Sequence, residues 1–320
     1  MASVLSAKHF HDEEAAYAFL EARVWPKGAV CPHCGGFDRI GKMGGKATRI
    51  GLYKCYQCRK QFTVKVGTVF ESSHVPLHIW LQAVALLTSS KKGISRNQLH
   101  RTLGVTLKTA WFMSHRIREA MRDGTLSPFG AGGGIVEIDE TYFGKRAVQR
   151  DVTTSGRPFT KSGKTGPSNK RAIIALVERG GNVRSIHVEN ADKATVNMIV
   201  ADNIAREARV MSDESRLYGD VKGHAASHDT VRHAGGEYVR YEGDLAIHSN
   251  TVENVFSVLK RGMHGVYQHC KEKNLHRYLA EFDFRYNNRV ALGVGDQERA
   301  DNALRGIVGK RLTYRTTSGG

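Results

Sequence analysis

Asp139 closes a short β-branched run, Ile135-Val136-Glu137-Ile138, whose pattern predicts a buried strand. A carboxylate at the end of a rigid strand is well placed to hold a divalent cation, although an aspartate there can equally begin a turn. A second apolar run, Ala208 to Ser212, ends in Asp213, and Glu253 falls on a predicted helix with Lys260 seven residues later. Carboxylates from three separate elements point to one metal site. A different metal chemistry lies nearer the amino terminus. Cys31-Pro-His-Cys34 and Cys55-Tyr-Gln-Cys58 are two Cys-x-x-Cys pairs separated by 20 residues, the pattern of a closed four-thiolate site. Such a set suits one structural Zn²⁺, with a four-thiolate iron site or paired disulfides as competing readings.

Composition bounds what surrounds these groups. The 320 residues carry 48 Lys and Arg against 31 Asp and Glu, a formal net charge of +17, which points to a polyanionic partner, nucleic acid first. No uninterrupted apolar run reaches the roughly 18 residues that a membrane span needs, and the first twelve residues lack the apolar centre of a secretion signal. The expectation is a soluble, cytoplasmic chain of two or three domains with no membrane partner. That setting favours metal thiolates over disulfides at the paired cysteines, and Cys270 stands alone.

The elements that must position the site follow in order. Asp12-Glu13-Glu14 opens a helix that runs to Val24, with an N-cap and an acidic first turn. Glycines and basic residues between the cysteine pairs describe a β-rich ribbon. Pro76 starts an apolar helix through Leu87. Ile94 to Met121 then reads as helix, turn, helix: Ser95 and Thr106 cap the two helices and Gly104 permits the turn. In so basic a protein the second helix is expected to meet DNA through Lys108, Thr109, His115 and Arg116, helical packing being the plainer reading. After the Asp139 strand comes a basic loop with Arg157, Lys161, Lys164 and Lys170, either a solvated loop or a contact to phosphates. Ala172–Glu178 and Val183–Val188 form a hairpin, Asp192 begins a helix, and the Asp213 strand follows, then an insertion and the Glu253 helix. Strand, strand, strand, helix, strand and a last acidic helix is the order of an RNase H-like domain. Phe282, Phe284 and Tyr286 read as core, while Arg285 and Arg289 are candidates for DNA contact.

The chain resembles a known family in an ordered set of motifs: the four cysteines, Glu137-Ile-Asp139-Glu-Thr-Tyr142-Phe-Gly144, Ser212-Asp213, His248-Ser-Asn250-Thr-Val-Glu253 through Lys260-Arg-Gly262, and His276 to Arg289. It is similar to bacterial insertion-sequence transposases that join a zinc ribbon to a DDE-type catalytic domain, the ISXO-two-like group. The resemblance implies an α/β architecture: a helix and zinc ribbon at 10–70, a helix-turn-helix region at 75–122, an RNase H-like domain with a mixed five-stranded sheet at 131–292, and a tail at 293–320. It implies cleavage and strand transfer of double-stranded DNA, transposon ends and target, by a homo-oligomer acting at the bacterial nucleoid. Two Mg²⁺ ions about 4 Å apart, or Mn²⁺, would drive the in-line displacement. Asp139 would bridge them, Asp213 and Glu253 would each complete one, and Lys260 would bind phosphate. Asn250, one helical turn before Glu253, is the second candidate for the third ligand, since members of the group differ there. Two other readings remain: a catalytically silent DNA-binding protein, and a nuclease that cuts without joining.

Overall fold

The computed structural model describes residues 4–122, 124, 127–148, 152 and 169–313. The chain forms two compact units, Met1–Asp123 with Gly293–Gly320, and Gly124–Leu292. In the first unit α1 (Glu13–Val24) begins where the Asp12 carboxylate accepts the Ala15 N–H at 2.7 Å. Three short strands, β1 (Ile40–Lys42), β2 (Tyr53–Cys55) and β3 (Gln61–Phe62), form an antiparallel sheet that carries the cysteine pairs. The apolar α2 (Leu77–Ser89) follows Pro76, and its first N–H groups are capped from outside by Glu13, which accepts from Leu77 at 2.7 Å and His78 at 3.0 Å. Ser95 and Thr106 cap α3 (Arg96–Leu103) and α4 (Leu107–Ala120) as expected. Gly104 between them has φ 65°, the left-handed region in which a side chain would be strained.

The second unit is built on β4 (Ile135–Lys145). It continues through β5 (Lys170–Glu178), β6 (Val183–Val188), α5 (Lys193–Asn203), β7 (Arg209–Asp213), β8 (Ser227–Val231) and a small hairpin, β9 (Arg240–Glu242) with β10 (Leu245–Ile247). The helices α6 (Asn250–Gly262) and α7 (Leu275–Asn287) follow. The main sheet has the order β6-β5-β4-β7-β8, antiparallel from β4 to β6 and parallel from β4 to β8. This is the mixed five-stranded RNase H-like sheet. Alternation along β5 serves both faces: Ile173, Ala175 and Val177 pack with α6 and α7, and Ile174 and Leu176 pack with α5. The polar Ser227-His-Asp-Thr-Val231 has no apolar alternation to announce it, and becomes β8 by pairing in parallel with β7.

The chain then returns to the first unit. The stretch from residue 293, expected as a tail, contains α8 (Asp296–Arg305), with Ala303, Leu304 and Ile307 buried and Asp301 paired to Arg23 at 2.6 Å. Its charged composition conceals three apolar anchors. Among the described residues no helix is long and apolar enough to cross a membrane.

One end of the main sheet is closed by side chains of α7. Asp283 accepts the Ser185 N–H and hydroxyl, both at 2.7 Å, and Asn287 accepts the Val183 N–H at 2.7 Å and donates to the Val183 carbonyl at 3.0 Å. These bonds satisfy backbone groups that an edge strand would leave open to another chain. Asp283→Ala should lower stability by about 1–3 kcal/mol and increase aggregation on heating. Melting followed together by circular dichroism and light scattering tests this, and an unchanged pair of curves would show the edge needs no cover.

Candidate active site

The parallel ladder between β4 and β7 runs from Ile135↔Arg209 to Glu137↔Met211, whereas the ladder with β5 continues to Lys145. Asp139 is therefore inside a long strand and not at its end, contrary to expectation. It lies where β4 parts from β7. Asp213 is the last residue of β7. Each stands two residues beyond the pair Glu137↔Met211, so strand alternation puts both on the same face. The crevice beyond the carboxyl ends of parallel strands is where open α/β sheets bind ligands.

Glu253 comes from the first turn of α6. That helix buries Val252, Val255, Phe256 and Leu259 and exposes Asn250, Glu253, Ser257 and Lys260. Lys260 thus shares a face with Glu253, as a spacing of two turns requires. Asn250 borders the same stripe. Glu253 meets the Ser249 hydroxyl at 3.3 Å and His233 Nδ1 at 3.5 Å. Nothing in the sequence signals His233, which arrives from the insertion 20 residues earlier.

Electrostatics tie the three acids together. Burial first, then the charges of Glu140, Asp213 and Glu253, together push the Asp139 carboxyl from its ordinary 3.8 up to about 8. The opposing influence is one backbone N–H, that of Glu140 at 2.7 Å. Glu140 itself pairs with Ile174 on the α5 side of the sheet and accepts from the Tyr218 hydroxyl. Burial raises its carboxyl too. His228 binds the Ser212 hydroxyl at 2.8 Å, a structural role.

The cysteine site is tighter. Among the described residues, the four cysteines are the one set of three or more metal-binding side chains whose ligand atoms all lie within 4.8 Å of one another. Cys31 and Cys58 sulfurs are 3.6 Å apart and those of Cys34 and Cys55 3.7 Å. Sulfurs at about 2.3 Å from a tetrahedral zinc sit about 3.8 Å apart, whereas a disulfide needs about 2.05 Å. The donor set fits structural zinc and not disulfides.

The expected DNA-contacting residues divide. At the start of α4 Lys108 is exposed and Thr109 half-buried, but His115 and Arg116 are buried. The reason is that α4 packs against α2, α3 and α8 at once, so its polar middle has no solvent face. Arg116 donates to the carbonyls of Glu71 at 2.8 Å and Leu312 at 3.0 Å, and the His115 ring lies tilted against Trp111, with ring centres 4.3 Å apart. On α3 and the segment before it, Lys91, Lys92, Arg96 and Arg101 are exposed, residues that the sequence reading passed over. Arg285 is likewise internal, paired with Glu281, and Arg289 donates to the Gly181 carbonyl at 2.9 Å. Lys170 is exposed at the start of β5, while Arg157, Lys161 and Lys164 lie outside the described residues.

The mixed five-stranded sheet and the four-cysteine cluster define an RNase H-like domain joined to a zinc ribbon. Residues 132–287 match the ISXO2-like transposase domain, and residues 11–61 match the transposase zinc-ribbon domain. An uncharacterized protein in the transposable element ISH50 of Halobacterium salinarum is 29% identical over 287 residues, 88% of this chain and 93% of the relative. The chain belongs to the ISXO2-like transposases and is a DDE-type transposase. Among solved structures, the Mos1 strand transfer complex is similar with TM-score 0.28 and 12% identity, covering 71% of this chain and 74% of that one. A pre-cleavage Mos1 transpososome follows with TM-score 0.21 and 13% identity, covering 67% and 77%.

The raised carboxyl has a measurable consequence. The folded state holds the Asp139 proton more tightly than the unfolded chain does, so metal-free stability is highest below pH 3.8 as far as this group is concerned and falls as pH rises towards about 8. Asp139→Asn should therefore raise the melting temperature of the metal-free protein, by about 2–4 °C per kcal/mol relieved. The gain should grow between pH 4 and pH 8, and a pH-independent difference would contradict the assignment.

Proposed function

We propose that the protein binds the ends of its insertion sequence as double-stranded DNA and catalyses their cleavage and strand transfer at a divalent-metal site formed by Asp139, Asp213 and Glu253. The observation that carries this reading is the shared electrostatic environment of the three carboxylates at the point where β4 leaves β7. A carboxylate such as Asp139, whose ionised form is disfavoured by burial and by neighbouring acids, gains most from a cation placed beside it. Mg²⁺ ions, two in number, or Mn²⁺ in their place would activate the attacking water or 3′-hydroxyl and stabilise the leaving oxygen. Asp139, from the rigid centre of the sheet, is the ligand both ions would share. Lys260, on the stripe of α6 that also carries Glu253, is placed to bind a phosphate of the scissile strand. Two ends and a target must be held together, so the acting species is a homo-oligomer on DNA.

Glu253 rather than Asn250 is the third ligand, because a charged oxygen holds a hard cation better than an amide does. Glu253→Gln should reduce Mg²⁺-dependent cleavage by more than the roughly 100-fold that losing a ligand's supporting partner costs, with end binding intact. Asp139→Asn and Asp213→Asn should do the same, and Asn250→Ala should be milder. Normal cleavage by Glu253→Gln with a dead Asn250→Ala would reverse the assignment.

For DNA binding we favour the exposed start of α4 with its neighbours: Lys91, Lys92, Arg96, Arg101 and Lys108. A recognition helix meets DNA through its amino-terminal residues, and Leu107 and Lys108 are exposed there. Replacing Lys92, Arg96, Arg101 and Lys108 with Ala should flatten the slope of log affinity against log salt by about 0.9 per lost phosphate contact. The unmoved slope, together with a slope that flattens when Arg157, Lys161, Lys164 and Lys170 are replaced, would transfer the contact to that basic segment.

A further inference from the structure

Glu137 is a glutamate with 0% exposure on the central strand, two residues before Asp139 and on the same face. Burying a carboxylate this completely is costly unless it is paired and hydrogen-bonded. Its partners come from two places. Arg179, just beyond β5, donates its Nε to Glu137 Oε1 at 2.7 Å. The rest come from the start of α6: the Thr251 N–H at 2.8 Å, the Thr251 hydroxyl at 2.8 Å and the Val252 N–H at 3.1 Å, with His248 Nδ1 at 3.2 Å. Arg179 also grips the segment leading into the helix, donating to the carbonyls of Ala246 at 2.5 Å and His248 at 2.9 Å. Ser249, the residue in the capping position, makes no side-chain cap bond. The cap of α6 is supplied across space by the strand that carries Asp139.

We infer that Glu137 is a positioning residue for the transposase reaction: by capping α6 from β4, with Arg179 as counter-ion, it sets the distance between Asp139 and Glu253 and so the geometry in which they receive a metal ion. The physical argument is one of levers. Thr251 and Val252 are held to the strand at two and one residues before Glu253, and Glu137 is held two residues from Asp139, so the two proposed ligands are connected through a few stiff bonds. A charged cap on free helical N–H groups also uses the positive end of the helix. With its oxygens occupied by four donors, Glu137 is itself unsuited to bind the ion, although it is the first acid of the Glu137-Ile-Asp139-Glu140 run. This inference rests on Asp139 and Glu253 being metal ligands.

The test measures Mn²⁺ binding by isothermal titration calorimetry to the full, zinc-loaded chain without DNA, using wild type, Glu137→Gln, Glu253→Gln and the double variant. Glu137→Gln keeps the shape but turns an amide towards donors, and should weaken Mn²⁺ by about 10–100-fold. The double variant should bind no more weakly than Glu253→Gln alone, because a residue acting through Glu253 has nothing left to position. Hydrogen exchange at the Thr251 and Val252 amides should accelerate in Glu137→Gln. If Glu137→Gln does not fold, Thr251→Val removes one hydroxyl donor and leaves the N–H, and should show a smaller loss with the same lack of additivity. Unchanged Mn²⁺ affinity in the folded variants, or losses that multiply in the double variant, would overturn the inference while leaving the metal site standing. Unchanged affinity in Glu253→Gln would instead remove the metal reading on which it rests.

Discussion

The constraint on which the structure turns is repulsion between carboxylates gathered in a partly buried crevice. Burial and the neighbouring acids Glu140, Asp213 and Glu253 raise the proton affinity of Asp139 in surroundings that screen poorly. No protein scaffold relaxes into that arrangement of its own accord, because each acid would be better solvated alone. The surrounding architecture answers it with stiffness: a central strand paired on both sides along its first residues, a parallel neighbour that ends at Asp213, and a helix fastened by its first turn. On the proposed metal reading, stability is lowered locally so that a cation would meet preassembled ligands.

The same fastening device recurs in the other unit. Glu13 caps the N–H groups of Leu77 and His78 at the start of α2, as Glu137 caps α6. In each case a helix that lacks its own side-chain cap is held by a carboxylate from a different element. A local cap fixes where a helix begins. A cap from elsewhere also fixes where the helix sits, at the expense of burying charge, and the second function is the one a catalytic helix needs.

The net charge of +17 is a poor map of where an anionic partner would touch. Arg116, Arg118, Arg171, Arg285 and Arg299 are all buried. Arg171 shows the pattern, donating to the carbonyls of Lys145 and Cys270 at 2.7 Å each. The planar guanidinium suits this work because its several fixed donors can satisfy loop carbonyls that no regular ladder reaches. Exposed cations are therefore fewer than composition suggests, and in the first unit they lie on the ribbon (Arg39, Lys42, Lys46, Arg49, Arg59, Lys60) as well as around α3 and the start of α4.

Much was legible in the linear order of residues, and for a physical reason. Cysteine spacing, Ser95 and Thr106 as caps, the glycine turn at Gly104, and the apolar runs ending at Asp139 and Asp213 all depend on neighbours within a few positions, so local chemistry determines them. The pairing of β5 with β6 belongs to the same class. What the tertiary structure alone decided was every matter that depends on which surface is covered. Arg116 and Arg285 look like DNA contacts until packing on several sides encloses them. Ser227 to Val231 becomes a strand only because β7 offers an edge, and residues 296–305 become a packed helix only because the first unit leaves a place for Ala303 and Leu304. The partnership of Glu137 with Thr251, separated by more than a hundred residues, had no sequence signal beyond a buried acid in search of donors. Burial and long-range pairing are properties of the assembled chain, and no pattern of near neighbours contains them.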